Sequence, residues 1–190
     1  MGHEDFAGLR MVPLQEGDAP AVVAHLLRLS PEDRTLRFWG SLVTDDSIRS
    51  YVAGIRFGHD IVLGLVEPQG RVVGLAHGCN YLHGSARCIE AAFSVDEERR
   101  GASLGRMLMD GVVAGAHALG ADRVVGMCSV RNIPMRRIFQ TAGMVMSREE
   151  DEMHARLPLE GIPSSVPLVA PLSGRSGKLS AALAEPCRLV

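Results

Sequence analysis

The period of apolar positions changes several times along the chain, and each change marks an element. Residues 8–13 (GLRMVP) read as a short first strand. Asp18 then stands where an N-cap belongs, ahead of Val22, Val23, Leu26 and Leu27, which recur at the spacing of one helical face. Ser30-Pro31-Glu32-Asp33 repeats the start signal: serine caps, proline suits the first turn, and acids favour the positive helix end. A third short helix is expected after Thr44. From Asp60 the period shortens. DIVLGLVEPQGRVVGLAHGCNYLHGSARCIEAAFSV reads as three β-runs broken at Pro68-Gln69-Gly70 and His83-Gly84-Ser85, an antiparallel meander.

Helical spacing returns at Leu104, Leu108, Val112, Gly115 and Leu119, closed by Gly120. Residues 122–130 (DRVVGMCSV) form a buried strand. Asn132-Ile133-Pro134 opens another helix, with Met135, Ile138, Phe139 and Ala142 on its apolar face and Gly143 at its end. Met144–Ser147 and Met153–Leu157 then pair as a hairpin around the acidic run Glu149–Glu152. This order predicts an α/β (α+β) domain with a mixed, mostly antiparallel sheet flanked by helices, spanning residues 8–158. Five prolines from Pro158 onward, with Gly/Ser clusters, predict a flexible tail over 159–190, with one helical turn near Leu179–Ala184. Residues 1–7 make a short N-terminal extension.

Composition removes several partners. A chain of 190 residues, 46% apolar and 22% charged, is an ordinary soluble globule. Its net charge of −2 and the lack of a basic-aromatic stripe argue against nucleic acid. The first ten residues hold no apolar leader, and no run approaches the roughly 18 apolar residues of a membrane span. Cys79, Cys88, Cys128 and Cys187 show no CxxC spacing, so a reducing cytoplasm is expected. His77, Cys79, His83 and Cys88 match no zinc spacing, and the turn at Gly84 spreads them, so no metal is expected.

The chemistry concentrates in SVDEERRGASLGRMLMDG, residues 94–111. A phosphate-cradling P-loop needs a lysine and a hydroxyl residue after its last glycine, and here Arg106-Met107 follow Gly105. A dinucleotide fingerprint needs three glycines at the start of a βαβ unit, and this loop has two, after a meander. What is left is a strand, a turn with free amides and a helix N-terminus, which suffices to hold a pyrophosphate.

Arg100-Gly-Ala-Ser-Leu-Gly105 resembles the Arg/Gln-x-x-Gly-x-Gly/Ala loop of the GNAT superfamily of N-acetyltransferases, and the order of elements agrees with that family. The resemblance implies the GNAT fold, with a splayed strand pair that binds acyl-CoA, and acetyl-CoA as co-substrate. It assigns the pyrophosphate to Arg100, Gly101, Ala102, Ser103, Leu104, Gly105 and Arg106. It assigns the pantetheine arm to Phe93, Ser94, Val95 and Asn132, with Met135 and Arg136 beside the cofactor. Two positions depart from the family: Ser103 stands where its first loop glycine is usual, and Phe139 where many members carry a proton-donating tyrosine. Residues 27–40 (LRLSPEDRTLRFWG), 89–95 (IEAAFSV) and 132–144 (NIPMRRIFQTAGM) look similar to the acetyltransferase domains of bacterial Pat-type protein-lysine acetyltransferases. Those domains often lack the tyrosine and use a strand glutamate as base. The matching residue is Glu90, here without the CoA-ligase-like region that many such enzymes carry.

Strand alternation independently sets Glu90, Ala92 and Ser94 on one face, a carboxylate beside two small residues that leave space for a thin ligand arm. A solvated or ion-paired glutamate would read the same way. The implied reaction is acetyl transfer to a primary amine, protein lysine or small molecule, within a ternary complex. Glu90 would take the proton, and Tyr51, Tyr81, Cys128 or solvent would protonate the departing thiolate. The acids Glu149–Glu152 are either a solvated tip or an attraction for a cationic acceptor. A non-catalytic acyl-CoA sensor on the same fold is the rival reading. A homodimer is left open.

Overall fold

The computed structural model describes residues 8–38, 43–101 and 103–159. Its elements are β1 (Arg10–Pro13), α1 (Ala19–Arg28), α2 (Pro31–Phe38), α3 (Asp45–Ala53), β2 (Ile61–Val66), β3 (Val72–His83) and β4 (Ala86–Val95). Then follow α4 (Leu104–Ala118), β5 (Arg123–Ser129), α5 (Ile133–Thr141), β6 (Val145–Glu149) and β7 (Glu152–Pro158). The start signals act locally as their chemistry requires. Thr44 Oγ1 accepts from the Ser47 amide at 3.1 Å, and Ser30 Oγ accepts from the Asp33 amide at 3.1 Å. Asp18 differs from the expectation: its carboxylate accepts from the Gln15 amide at 2.8 Å, closing a 3-10 turn ahead of α1. Its backbone is already helical, so it does not cap.

The described strands form one seven-stranded sheet in the order β1-β2-β3-β4-β5-β7-β6, and neighbours run antiparallel except β4 and β5. The mixed, mostly antiparallel sheet expected from the sequence is therefore present. On one face α4 and α5 bury Leu104, Leu108, Val112 and Phe139 against Ile89 and Val124. On the other, α1 and α3 bury Val22, Leu26, Ile48 and Val52 against Val62 and Leu75. No described helix is long and apolar enough to cross a membrane. Leu159, the first residue of the expected tail, is 5% exposed and donates its amide to Asp122 C=O at 2.9 Å. The N-terminal extension 1–7, Ala102 and residues 160–190, with the expected helical turn, lie outside the described residues.

The parallel pairing is short. It runs from Cys88↔Arg123 to Glu90↔Val125 and stops. Beyond it β4 stays on β3 as far as Val95↔Gly74, while β5 stays on β7 as far as Ser129↔Glu152. Each strand is held by its outer neighbour, so the two part and leave a gap in mid-sheet. Just past the parting, the Phe139 ring lies on Gly126 of β5, where an added Cβ would stand 2.7 Å from two ring carbons. A buried ring cannot give way as a flexible chain end would. Gly126→Ala is expected to destabilise the fold by about 1–3 kcal/mol through overpacking. Urea unfolding checks this; wild-type stability would mean that the ring moves aside freely.

Candidate functional site

Among the described residues, β4 leaves the parting with one edge unpaired. The Asp96 amide donates to Val73 C=O at 2.8 Å, so antiparallel alternation turns the even residues of β4 toward β3 and the odd ones away from it. Phe93 and Val95 therefore direct their N–H and C=O groups into the gap, beyond the last residue paired with β5. Ser94 differs: its amide faces β3, and its hydroxyl meets His25 Nε2 at 2.8 Å.

Glu90 stands at the apex of the gap, the last β4 residue paired with β5. It is half-buried, and its Oε2 is buried with no hydrogen-bond partner among the described residues. Its face is the α1–α3 face, where Ala92 leaves room beside it. An unpartnered carboxylate oxygen in a partly closed gap is able to accept a proton.

The gap leads to the loop before α4. Gly101 has φ +92° and Ser103 has φ +57°, so the chain turns twice through left-handed backbone. Ser103 carries that conformation with a Cβ, and its side chain caps no amide of α4. Among the described residues the first bond into the helix is Met107 N–H to Ser103 C=O, and the amides of Leu104, Gly105 and Arg106 have no acceptor. Loop side chains serve as anchors. Arg100 pairs with Asp33 of α2, Leu104 is 2% exposed in the core, and Arg106 joins Asp110 at 2.7 Å and Thr141 C=O at 2.8 Å. A Cβ on Gly105 would come within 2.6 Å of Ile138, so this glycine lets α4 and α5 close on each other.

At the start of α5, Asn132 Oδ1 accepts from the Met135 amide at 3.1 Å, the capping role. Met135 packs against the core. Arg136 donates to Val130 C=O at 3.1 Å, and its buried Nε has no partner among the described residues. Phe139 is fully buried. Tyr81 is pushed up to about 12, first by burial and then by nearby Cys88 and Glu90. Burial pushes the Cys128 thiol up to about 11. Both hold their protons tightly.

Two polar clusters escaped the sequence reading. Asp96, 5% exposed, lies 2.9 Å from His25 Nδ1 and accepts from Arg28 and Arg71 at 3.0 and 2.8 Å. Burial raises this carboxyl, but His25 and the two guanidiniums outweigh it and hold Asp96 at about 2. Ser94, His25 and Asp96 have the spacing of a nucleophile, base and orienter. Yet Ser94 is four residues from Glu90, about 13 Å along a strand, and Asp96 shares its charge with two arginines. The cluster fastens the end of β4, where the loop begins, to α1 and β3. One signal was readable: His25 sits on the apolar stripe of α1 between Val22 and Leu26.

The second cluster runs beneath Glu90's face. Arg37 Nη2 donates to Tyr51 Oη at 2.6 Å, Tyr51 Oη meets His77 Nδ1 at 2.6 Å, and His77 Nε2 lies 3.4 Å from Asp60. Asp60 also accepts from Arg56 at 2.7 Å and from the Asn80 amide at 3.0 Å. These bonds, His77 first, overcome burial and pull Asp60 down to about 2. His77 thus belongs to a relay, and no three metal-ligating side chains converge among the described residues. The acids of the hairpin are partly engaged: His154 Nε2 lies 3.2 Å from Glu152 and 3.7 Å from Glu149.

Residues 8–145 match a family described as acetyltransferase (GNAT) domain. Among solved structures, the GNAT domain of S. lividans PAT superposes with a TM-score of 0.68 at 19% identity, covering 80% of this chain and 90% of that one. The ribosomal-protein-S5-alanine acetyltransferase from Vibrio fischeri gives 0.66 at 11% identity, covering 83% and 96%. YncA from Salmonella typhimurium, solved with its cofactor acetyl-CoA, gives 0.64 at 16% identity, covering 82% and 96%. No curated protein matches the sequence.

Two outcomes follow from the loop and its fastening. Ser103→Gly removes the Cβ from a left-handed residue and is expected to stabilise the fold by about 1 kcal/mol, read as a raised Tm; a lowered Tm would assign the side chain a contact of its own. A carboxylate held below its unfolded value stabilises the fold above about pH 4, and that stability vanishes as pH falls toward 2. Asp96, about two pKa units down, should contribute about 2 kcal/mol in this way. Asp96→Asn is therefore expected to be less stable at pH 7 and to lose less between pH 5 and 2, measured by urea titrations across that range. Parallel pH curves would contradict it.

Proposed function

The chain belongs to the GNAT acetyltransferases, and on that footing we propose that it transfers an acetyl group from acetyl-CoA to a primary amine, of protein lysine or a small molecule, by direct attack in a ternary complex. The observation that carries this reading is the gap between β4 and β5, bare along Phe93 and Val95 and headed by Glu90. The pantetheine arm lies in the gap as an added strand, bonding Phe93 and Val95. The pyrophosphate takes the amides from Gly101 to Arg106, and Asn132, Met135 and Arg136 flank the arm. Arg136, with its unpartnered Nε, offers a cation to a CoA phosphate.

An acceptor amine is mostly protonated at neutral pH, with an ordinary lysine pKa near 10.4. Glu90 removes that proton, directly or through water. The free amine attacks the thioester carbonyl, and an open β4 amide stabilises the oxygen as charge develops on it. Collapse of the tetrahedral adduct expels CoA as thiolate, and the second proton of the attacking nitrogen leaves to solvent, giving the neutral amide. Tyr51 is engaged in the relay, Tyr81 and Cys128 hold their protons, and Phe139 has none, so solvent protonates the thiolate. We assign this reaction to residues 8–158, in the cytoplasm, with neither nucleic acid nor membrane as partner. A non-catalytic acyl-CoA sensor would use the same gap, and Phe139 is the residue in its favour.

Glu90→Gln separates the two. It keeps shape but cannot accept the proton, so acetyl transfer, followed as free thiol, is expected to fall about 10²–10⁴-fold. The thermal shift with CoA should be retained, and the deficit should shrink as pH rises and more amine is neutral. Superimposable pH profiles for both forms would remove Glu90 from the mechanism. CoA binding without turnover in either form would favour the sensor.

A further inference from the structure

We propose that the acceptor carries a carboxylate beside its amine, as an amino acid does, and that Arg37 receives it. This rests on the acetyltransferase reading above and narrows its acceptor. Arg37 is half-buried near the C-terminal end of α2, and α2 packs against both β4 and β5, the strands that part. Its guanidinium lies 4.9 Å from the Phe38 ring centroid and 5.2 Å from that of Tyr51. The arginines of the loop and of the Asp96 and Asp60 clusters each meet a carboxylate, whereas Arg37 meets none among the described residues. Among the described residues its one hydrogen bond is to the Tyr51 hydroxyl, and its Nε is buried without a partner.

The relay behind it fixes which group Arg37 faces. With Nε2–H of His77 directed at Asp60, Nδ1 is left to accept from the Tyr51 hydroxyl. The Tyr51 oxygen then turns a lone pair to Arg37, which holds the guanidinium in place and leaves its other donors free. His77 stands opposite Ala92, two residues from Glu90 and on the same face. A guanidinium held by two aromatic rings and a hydroxyl, with no carboxylate partner among the described residues, suits an anion, and the planar fork of arginine matches a carboxylate. Through Tyr51 and His77, Arg37 lies on the same face of the sheet as Glu90, so a carboxylate on Arg37 enters from the side on which an amine meets Glu90. A lysine within a protein carries no carboxylate of its own.

The test pairs each of a panel of amino acids with its carboxamide, and rates are compared per concentration of neutral amine, because the neighbouring carboxylate raises the amine pKa of the free amino acid above that of its amide. A lysine peptide blocked at both ends is included, and free thiol is read with acetyl-CoA. At least one amino acid is expected to exceed its carboxamide in kcat/KM by ten- to hundredfold, the worth of one charge-assisted pair. Arg37→Gln should bring that ratio close to one, mainly through KM, and Arg37→Lys should lie between. Preference for carboxamides or for the blocked peptide overturns the proposal, as does an equal loss on both members of a pair in a folded Arg37→Gln. If no amine is acetylated, the reaction itself has failed, and the subsite is judged by binding. N-acetyl amino acids with CoA must then raise Tm more than their amides do, in wild type and not in Arg37→Gln, or the proposal falls as well.

Discussion

A strand that loses its neighbour in mid-sheet leaves backbone N–H and C=O groups to be satisfied by something else, and buried groups of that kind are costly to leave unpaired. β4 does this beyond Glu90, where its pairing with β5 ends. The cost is tolerated because both strands are fully used on their outer sides, β4 by β3 and β5 by β7. The gap is thus a ready pairing edge for an extended, amide-bearing arm. Everything assigned to catalysis is arranged along it: Glu90 where it opens, bare backbone at Phe93 and Val95, and the start of α4 at its far end.

Polar clusters hold the two ends of that edge. Asp96, tied to His25, Arg28 and Arg71, fixes the point where β4 becomes loop. Asp60, tied to Arg56, Asn80 and His77, orders the wall beneath Glu90 and, through Tyr51, the guanidinium of Arg37. Both carboxylates remain ionised far below neutral pH. The walls of the proposed site are therefore tied by ion pairs and hydrogen bonds, and preorganisation of that kind reduces the ordering cost of binding.

Much of this was readable in the sequence, because the elements obey their own periods. The three strands of the meander, both flanking helices of β5 and the caps at Ser30, Thr44 and Asn132 need only local chemistry, and Glu90's face follows from alternation. The parting of β4 and β5 could be anticipated only from the family resemblance, because it depends on β5 pairing with β7 some thirty residues later. Ser94 shows the same limit: its place in the strand was plain, but the direction of its amide is set by register with β3. The relay of Arg37, Tyr51, Asp60 and His77 draws on α2, α3, a turn and β3, and no local pattern unites them. Gly105 was legible as a required glycine, yet its reason lies in Ile138 on another helix.

Amide-resolved hydrogen exchange with and without saturating acetyl-CoA tests the central claim most directly. The amides of Phe93 and Val95 are expected to slow strongly on binding, together with those from Ser103 to Arg106. The Ser94 amide, already bonded to β3, should change little. Equal exchange at Phe93 and Val95 in both states, with binding verified by thermal shift, would mean that the ligand does not pair with β4 and that the gap is not its site.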